Sequence, residues 1–264
     1  MAGAAWAGGV TWHESVAEAV QAAQESRRPI LIEFHSVGCG PCAQMEEITL
    51  TDEAVTAVIA RRFEAVRVSG LAEPDIATRF LVSFYPTVKF IDADGTPVYD
   101  CQGFVPPAHF LDVMTNALGA HAALRRARAA AAEQPAAATA ALAIARDFRT
   151  ARQYYQAADW AKRALAADDS EAVASEAKYV LGAALTEAGE PGGARQPLID
   201  ALKLADGAVW QWDARLKLGY VWLQRGEEDS GIGLLQTVHT SDEAAPEVRS
   251  QAMRLLRWWG VEVD

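Results

Sequence analysis

Apolar and polar positions alternate in two distinct rhythms along this chain. The first half begins with Trp12-His13-Glu14-Ser15-Val16-Ala17-Glu18-Ala19, an alanine-rich amphipathic stretch that predicts a helix. A basic-proline turn, Arg27-Arg28-Pro29, leads from it into the run Ile30-Leu31-Ile32-Glu33-Phe34, which predicts a buried strand. Thr51-Asp52-Glu53 is an acidic helix start, and Phe84-Tyr85-Pro86-Thr87 opens a second apolar run, Val88-Lys89-Phe90-Ile91. Asp94-Gly95 signals a hairpin into a further short apolar run. A proline opening a strand, preceded by a residue forced out of helical space, is where a cis peptide is expected, here at Tyr85-Pro86.

The rhythm changes after Leu118-Gly119, where the glycine is expected to end a helix. Residues 120–134 are an alanine and arginine stretch closed by Pro135 and predict a helical connector. Beyond it the pattern repeats. Leu181-Gly182 followed by Leu185 and Leu218-Gly219 followed by Trp222 stand 37 residues apart, and Ile144-Ala145 followed by Phe148 stands 37 before the first. Ala157, Ala194 and Gly231 keep the same step as small partner positions, and so do Trp160, Pro197 and Leu234. Breaking intervals are expected at Glu190-Pro191-Gly192-Gly193 and Gly226-Glu227-Glu228-Asp229, and a closing helix over 244–260.

One motif names a chemistry. Cys39-Gly40-Pro41-Cys42 follows the first strand directly, so its two thiols sit where a strand hands over to a helix. A helix N-terminus favours a thiolate through its unpaired N–H groups and its dipole, which makes Cys39 the attacking thiol and Cys42, one turn deeper, the resolving one. Pro41 suits a first helical turn because its missing N–H would have no partner there. Half a zinc site is the competing reading, but outside the motif only Cys101, His13, His35 and His109 are at hand, none at paired metal spacing. A structural staple is equally poorly served by three cysteines in 264 residues. Cys101, in the last predicted strand, is expected to be a buried free thiol, and His35, four residues before Cys39, a strand-end residue facing solvent, the alternative being that it modulates the thiolate charge.

These motifs together, over residues 10–119, resemble the thioredoxin superfamily, in the branch with an extra N-terminal helix. The resemblance implies an α/β thioredoxin fold with Cys39 as nucleophile and Cys42 as resolving thiol. It implies that Pro86 is the cis-proline beside the disulfide and that the Tyr85 backbone receives a substrate segment as an added strand, with Gly40 and Pro41 shaping the same surface. Glu33, six residues before Cys39, stands where the family commonly carries a buried Asp. A carboxylate inside an apolar strand needs a task or a partner. Its expected task is general base for Cys42, the alternatives being an ion pair with Lys89 or a path to the sheet edge. Two departures bear on substrate choice: Gly38 replaces a usual Trp before the first cysteine, and Tyr85 is bulkier than is common before the proline.

The second half, over roughly 135–240, resembles tetratricopeptide repeats, slightly longer than their usual ~34 residues, and implies an all-α helical solenoid with a concave protein-binding face. The expected organisation is 1–119 thioredoxin-like, 120–134 connector and 135–264 repeat domain. Six of the eight tryptophans fall in the second half, and Trp210, Trp212, Trp258 and Trp259 either line that face or fill gaps between helices.

The formal charge is −11, most of it in the first 120 residues. With no basic stripe, nucleic acid and anionic membrane are disfavoured as partners. The start of the chain lacks a basic-then-apolar leader pattern and no apolar stretch approaches membrane length, so a cytoplasmic protein is expected. Expected partners are client proteins with disulfides or exposed segments and an electron donor such as a thioredoxin reductase, with no metal or other cofactor. Three functions stay open: a protein disulfide reductase, a holder of unfolding clients resembling the chaperedoxins, and an interaction scaffold with a silent thioredoxin half.

Overall fold

The computed structural model describes residues 10–167, 170–205 and 207–263. The expected domain ends at 1 and 264 and the start of the chain read for a leader lie outside the described residues. The chain divides into two compact units, Met1–Arg125 and Arg126–Asp264.

The first unit is built on a five-stranded mixed sheet in the order β1-β3-β2-β4-β5. Its strands are β1 (Trp12–His13), β2 (Ile30–His35), β3 (Glu64–Ser69), β4 (Thr87–Ile91) and β5 (Pro97–Gln102). β1 and β2 run parallel to β3, whereas β4 is antiparallel to β2 and to β5. Helices α1 (Val16–Ser26), α2 (Gly40–Gln44), α3 (Glu53–Arg62) and α4 (Pro74–Arg79) lie within the unit, as does α5 (Pro107–Ala132) as far as Arg125, and a π-helical segment, Met45–Thr49, continues α2.

Local chemistry sets these boundaries. Ser15 caps α1 by accepting from the Glu18 N–H at 3.2 Å, while the Glu18 carboxylate accepts from the Glu14 N–H, so two donors at the helix start are satisfied. Asp52 caps α3 by accepting from both Ala54 and Val55. β2 is buried from Ile30 to Phe34 because both faces of the sheet are covered. Ile30, Ile32 and Phe34 meet Ala19 and Ala23 of α1, with Val66, Val68, Ala77 and Phe80 completing that layer. The period of two puts Leu31, Glu33 and His35 on the opposite face. Phe90 spans that layer, meeting Phe63 on one side and Phe110 of α5 on the other.

α5 does not end at Gly119. The helix runs unbroken through the glycine to Ala132, because the alanine and arginine stretch that follows has high helical propensity and nothing breaks it before Pro135.

The second unit is helical: α6 (Ala138–Thr150), α7 (Tyr154–Ala167), α8 (Glu171–Glu187), α9 (Pro191–Lys203), α10 (Gln211–Gln224), α11 (Glu228–Thr240) and α12 (Pro246–Trp258). The 37-residue step reappears as a repeated contact. A Cβ on Gly182 of α8 would lie 2.6 Å from Leu198 Cγ of α9, and one on Gly219 of α10 would lie 2.9 Å from Leu235 Cγ of α11. Both members of the pair advance by the same step, and the matching Ala145 and Ala161 of α6 and α7 are fully buried. The helix breaks fall slightly earlier than the sequence suggests. Gly189, in the left-handed region, ends α8, and Pro191-Gly192-Gly193 form the first turn of α9, where a proline lacking an N–H is at home.

Of the four tryptophans singled out by sequence, Trp210 stacks on Tyr179 at 4.8 Å, and Trp212 and Trp259 pack on the cluster around Leu216, Leu235 and Leu256. Trp258 is 71 % exposed.

Candidate active site

β2 ends at His35, and the loop Ser36-Val37-Gly38 carries the chain to Cys39. Gly38 has φ +76°, a left-handed conformation that side chains rarely adopt, which explains why a bulky residue is absent before the first cysteine. Cys39 takes the N-cap of α2, with Pro41 in the first turn and Cys42 buried one turn on. The two cysteines form a disulfide. The Cys42 N–H donates to the Cys39 sulfur at 3.2 Å, a contact that would favour negative charge on that sulfur once the pair is reduced. Cys39 is half-buried and lines a cavity of about 300 Å³ together with His35, Gly40, Cys42 and Glu46.

Beneath this cavity lies an ion network. Glu33 is fully buried. Its Oε2 accepts from Arg67 Nε at 3.0 Å and lies 3.2 Å from His35 Nδ1, while Oε1 has no protein hydrogen-bond partner. Arg67, from the middle of β3, uses its Nη1 to reach Glu46 Oε1 at 2.8 Å, and Trp12 lies under its guanidinium at 5.7 Å. Burial opposes the Arg67 charge, but Glu46 and Glu33 outweigh it and raise its pKa. The Arg67 hydrogen bond in turn holds the Glu46 carboxyl below its ordinary value.

Glu33 does not pair with Lys89, and the register gives the reason. Lys89 stands opposite Ile32, so it projects from the other face of the sheet, where it pairs with Asp100 at 2.9 Å. Nor does Glu33 reach an edge, since β2 is the middle strand. Sequence reasoning missed Arg67 as the partner. The available signal was a single basic residue inside the apolar strand Ala65-Val66-Arg67-Val68. His35 was expected to face solvent, yet one of its nitrogens holds Glu33 and its ring forms part of the cavity wall.

Tyr85-Pro86 is a cis peptide and Pro86 is buried. The Tyr85 ring turns inward, packing against the core layer of Phe34 and Phe80 and lying directly over Gly70. It therefore does not form the obstructing rim that its size suggested. Exposed apolar side chains at this end of the sheet are Val37 after β2, Leu71 after β3 and Phe84 before β4. Pro41, Tyr85, Pro86 and Glu33 are not among the residues lining the cavity. Cys101 in β5 is free and half-buried, and burial together with Asp100 pushes its thiol up to about 12.

Residues 16–118 match the model of the thioredoxin-like domain family. Over 109 residues the chain is 35% identical to thiol:disulfide interchange protein DsbD of Ralstonia nicotianae, covering 39% of this chain and 18% of that protein. Over 86 residues it is 28% identical to thioredoxin-like protein slr0233 of Synechocystis, covering 33% of this chain and 78% of that one. Thioredoxin Y, chloroplastic, of Oryza sativa is 25% identical, with 54% of its length matched. The matches thus span under a fifth of the first relative and about half of the last. The solution structure of a thioredoxin from Thermus thermophilus aligns with a TM-score of 0.37 at 29% identity, covering 39% of this chain and 83% of that one. The first unit is a thioredoxin-like domain, and its relatives support thiol–disulfide oxidoreductase chemistry at the level of the family. Among the described residues no helix is long and apolar enough to cross a membrane.

Proposed function

We propose that the protein is a disulfide reductase acting on client proteins, with Cys39 as nucleophile, Cys42 as resolving thiol and Glu33 as general base. The observation that carries this reading is the asymmetry of the pair. Both sulfurs face the same cavity, but Cys39 is half-buried at a helix cap with an N–H on its sulfur, whereas Cys42, one turn deeper, is buried.

In the forward reaction the Cys39 thiolate attacks one sulfur of a client disulfide, forming a mixed disulfide and releasing the other client sulfur as a thiolate that takes up a proton. Glu33 then accepts the Cys42 proton. The Cys42 thiolate attacks Cys39 sulfur, the Cys39–client bond breaks, and the second client thiolate leaves with its electron pair. The oxidised pair returns to the dithiol with two electrons from a dithiol donor, such as a thioredoxin reductase. A single orphaned carboxylate oxygen in a core costs about 1–3 kcal/mol, which an apolar side chain would avoid, and this supports a task for Glu33.

The client segment would lie across Gly40, Pro41 and the backbone before Pro86, framed by Val37, Leu71 and Phe84. The second unit, read as tetratricopeptide-like on its 37-residue step, would bind the client protein beyond its disulfide. A cytoplasmic setting, whose thiol pool keeps such pairs reduced, belongs to the same proposal.

Trapping with Cys42→Ser tests it. Cys39 should retain clients in mixed disulfides that dithiothreitol releases, and a Cys39→Ser partner variant should retain none. Equal yields from the two variants would refute the assignment.

A further inference from the structure

We propose that Glu46 makes the site selective for the charge of its client, favouring disulfides that carry a lysine or arginine beside the reacting cysteine. The inference rests on the oxidoreductase reading above and narrows its substrate class.

The cavity beside the cysteine pair, about 300 Å³, takes two of its walls from Gly38 and Gly40, and a Cβ on either would meet nothing within 4 Å. Open space therefore lies next to Cys39, enough for one extended side chain of a client. Among the described residues that line it, Glu46 is the one carboxylate, and there is no lysine or arginine. Glu46 follows Cys42 by four residues, about one helical turn. A long helical side chain leans back toward the N-terminus, which brings the carboxylate alongside the turn that carries the cysteines.

This carboxylate is fixed in place and in charge. Arg67 Nη1 holds its Oε1 at 2.8 Å, and that hydrogen bond keeps the Glu46 carboxyl below its ordinary value. Arg67 does not cancel the negative charge toward the cavity. It also bonds the buried Glu33, and with Glu33 ionised, as its role as base requires, one guanidinium faces two carboxylates. The Arg67 side chain is 18 % exposed and that of Glu46 46 %, so the anion is the member of the cluster presented to solvent. His35, the other ionisable wall residue besides the cysteines, is turned to Glu33. A carboxylate accepts at both oxygens, and Arg67 engages Oε1, so an ammonium or guanidinium in the cavity would meet Oε2. A unit charge about 8 Å away, in a medium between protein surface and water, changes a rate about threefold, and salt screens the effect.

Small disulfides read this directly. Reduced full-length protein is mixed with cystamine, a dication, with neutral hydroxyethyl disulfide, or with dithiodipropionate, a dianion. The Cys39 thiolate attacks one sulfur, the other leaves as a thiolate and takes up a proton, and Cys42 then displaces the second, leaving the Cys39–Cys42 disulfide and two small thiols. Acid quenching, alkylation and peptide mass give the rate at which Cys39 loses its free thiol. Each rate is divided by that of mercaptoethanol with the same disulfide, which removes intrinsic reactivity. At about 10 mM salt, cystamine should react about threefold faster than the neutral compound and the dianion about threefold slower, the three converging near about 0.5 M.

Glu46→Gln keeps an acceptor for Arg67 and should lower the ratio of cation to anion rates by about threefold or more. Both rates come from one protein, so a changed Cys39 thiolate population, the result of a purely structural role, cancels in that ratio. Glu25→Gln removes the same charge from the exposed end of α1, before β2 begins, a strand length of about 20 Å from the disulfide, and should leave the ratio as it is. Equal rates for the three compounds in the unaltered protein at low salt would overturn the proposal without any variant. A ratio untouched by Glu46→Gln, or lowered as far by Glu25→Gln, would overturn it too, and each of these leaves the reductase reading intact. Failure of Cys39 to react with any of the three would overturn the reductase reading and this one with it.

Discussion

Replacing Gly70 by Ala should destabilise the thioredoxin-like unit, against the ordinary effect of that substitution. Gly70 lies outside the left-handed region, so alanine meets no backbone strain there, and the reduced freedom of the unfolded chain alone would stabilise by about 0.4–1 kcal/mol. The obstacle is Tyr85. A Cβ on Gly70 would collide with the Tyr85 hydroxyl and the ring carbons behind it, and Tyr85 is packed against the core layer that contains Phe34 and Phe80. Overpacking of this kind costs about 1–3 kcal/mol, so the net loss should be about 1–2 kcal/mol. Because Tyr85 directly precedes Pro86, displacement of the ring should also weaken client capture by Cys39. In a Tyr85→Ala background the collision is gone, and Gly70→Ala should become neutral or stabilising. Urea-dependent hydrogen exchange by mass spectrometry, read on peptides from β2, β3 and β4, measures all four corners of the cycle. A coupling below about 0.5 kcal/mol would refute the packing of Tyr85 over Gly70.

Three further outcomes follow from the same geometry. Glu33→Gln keeps the volume and an acceptor for Arg67, which also retains Glu46, so the fold should survive while release of reduced client slows by about 10²-fold; an unchanged resolution rate in stopped flow would sink the role of Glu33. Arg149→Met removes the hub that bonds Glu187 at 2.8 and 3.0 Å and Tyr179 at 3.0 Å, and should cost the helical unit about 2–4 kcal/mol after allowance for partial exposure, measured by tryptophan fluorescence in urea. A loss under about 1 kcal/mol would show the network to be dispensable. Burial would raise the Glu64 carboxyl, but hydrogen bonds from His13 and Ser26 and the Arg28 charge hold it below its ordinary value. Its contribution is therefore full above the unfolded pKa of about 4.3 and is lost as pH falls through the lower folded value, so Glu64→Gln should flatten the acid limb of the unit's stability curve; an acid limb identical to that of the unaltered protein would contradict this.

What the sequence revealed and what it hid follow one physical division. Local signals carried the strand at Ile30–Phe34, the cysteine pair on a helix cap and the cis peptide before Thr87, because each depends on a few consecutive residues. The 37-residue step also survived translation into space, since a glycine in one helix and a leucine in the next must advance together for each hairpin to close on its neighbour. Pairing across the sheet was less accessible. Whether Glu33 meets Lys89 or Arg67 depends on register, and a one-residue difference moves a side chain to the opposite face. The inward turn of Tyr85 was hidden for a similar reason: it depends on the absence of a side chain at Gly70, fifteen positions away. The missing helix end at Gly119 shows that one glycine does not stop a helix whose following residues favour it.

The most direct test of the account is the redox equilibrium of Cys39 and Cys42. Full-length protein equilibrated across glutathione buffers, alkylated and analysed by peptide mass should show both cysteines changing together at a reversible two-electron midpoint. Cys101, with its thiol held neutral, should not take part in the exchange. A midpoint in the range of reducing dithiols is the predicted result. A pair that never opens, or never closes again, in those buffers would contradict the oxidoreductase reading and leave the helical unit as the working part of the molecule.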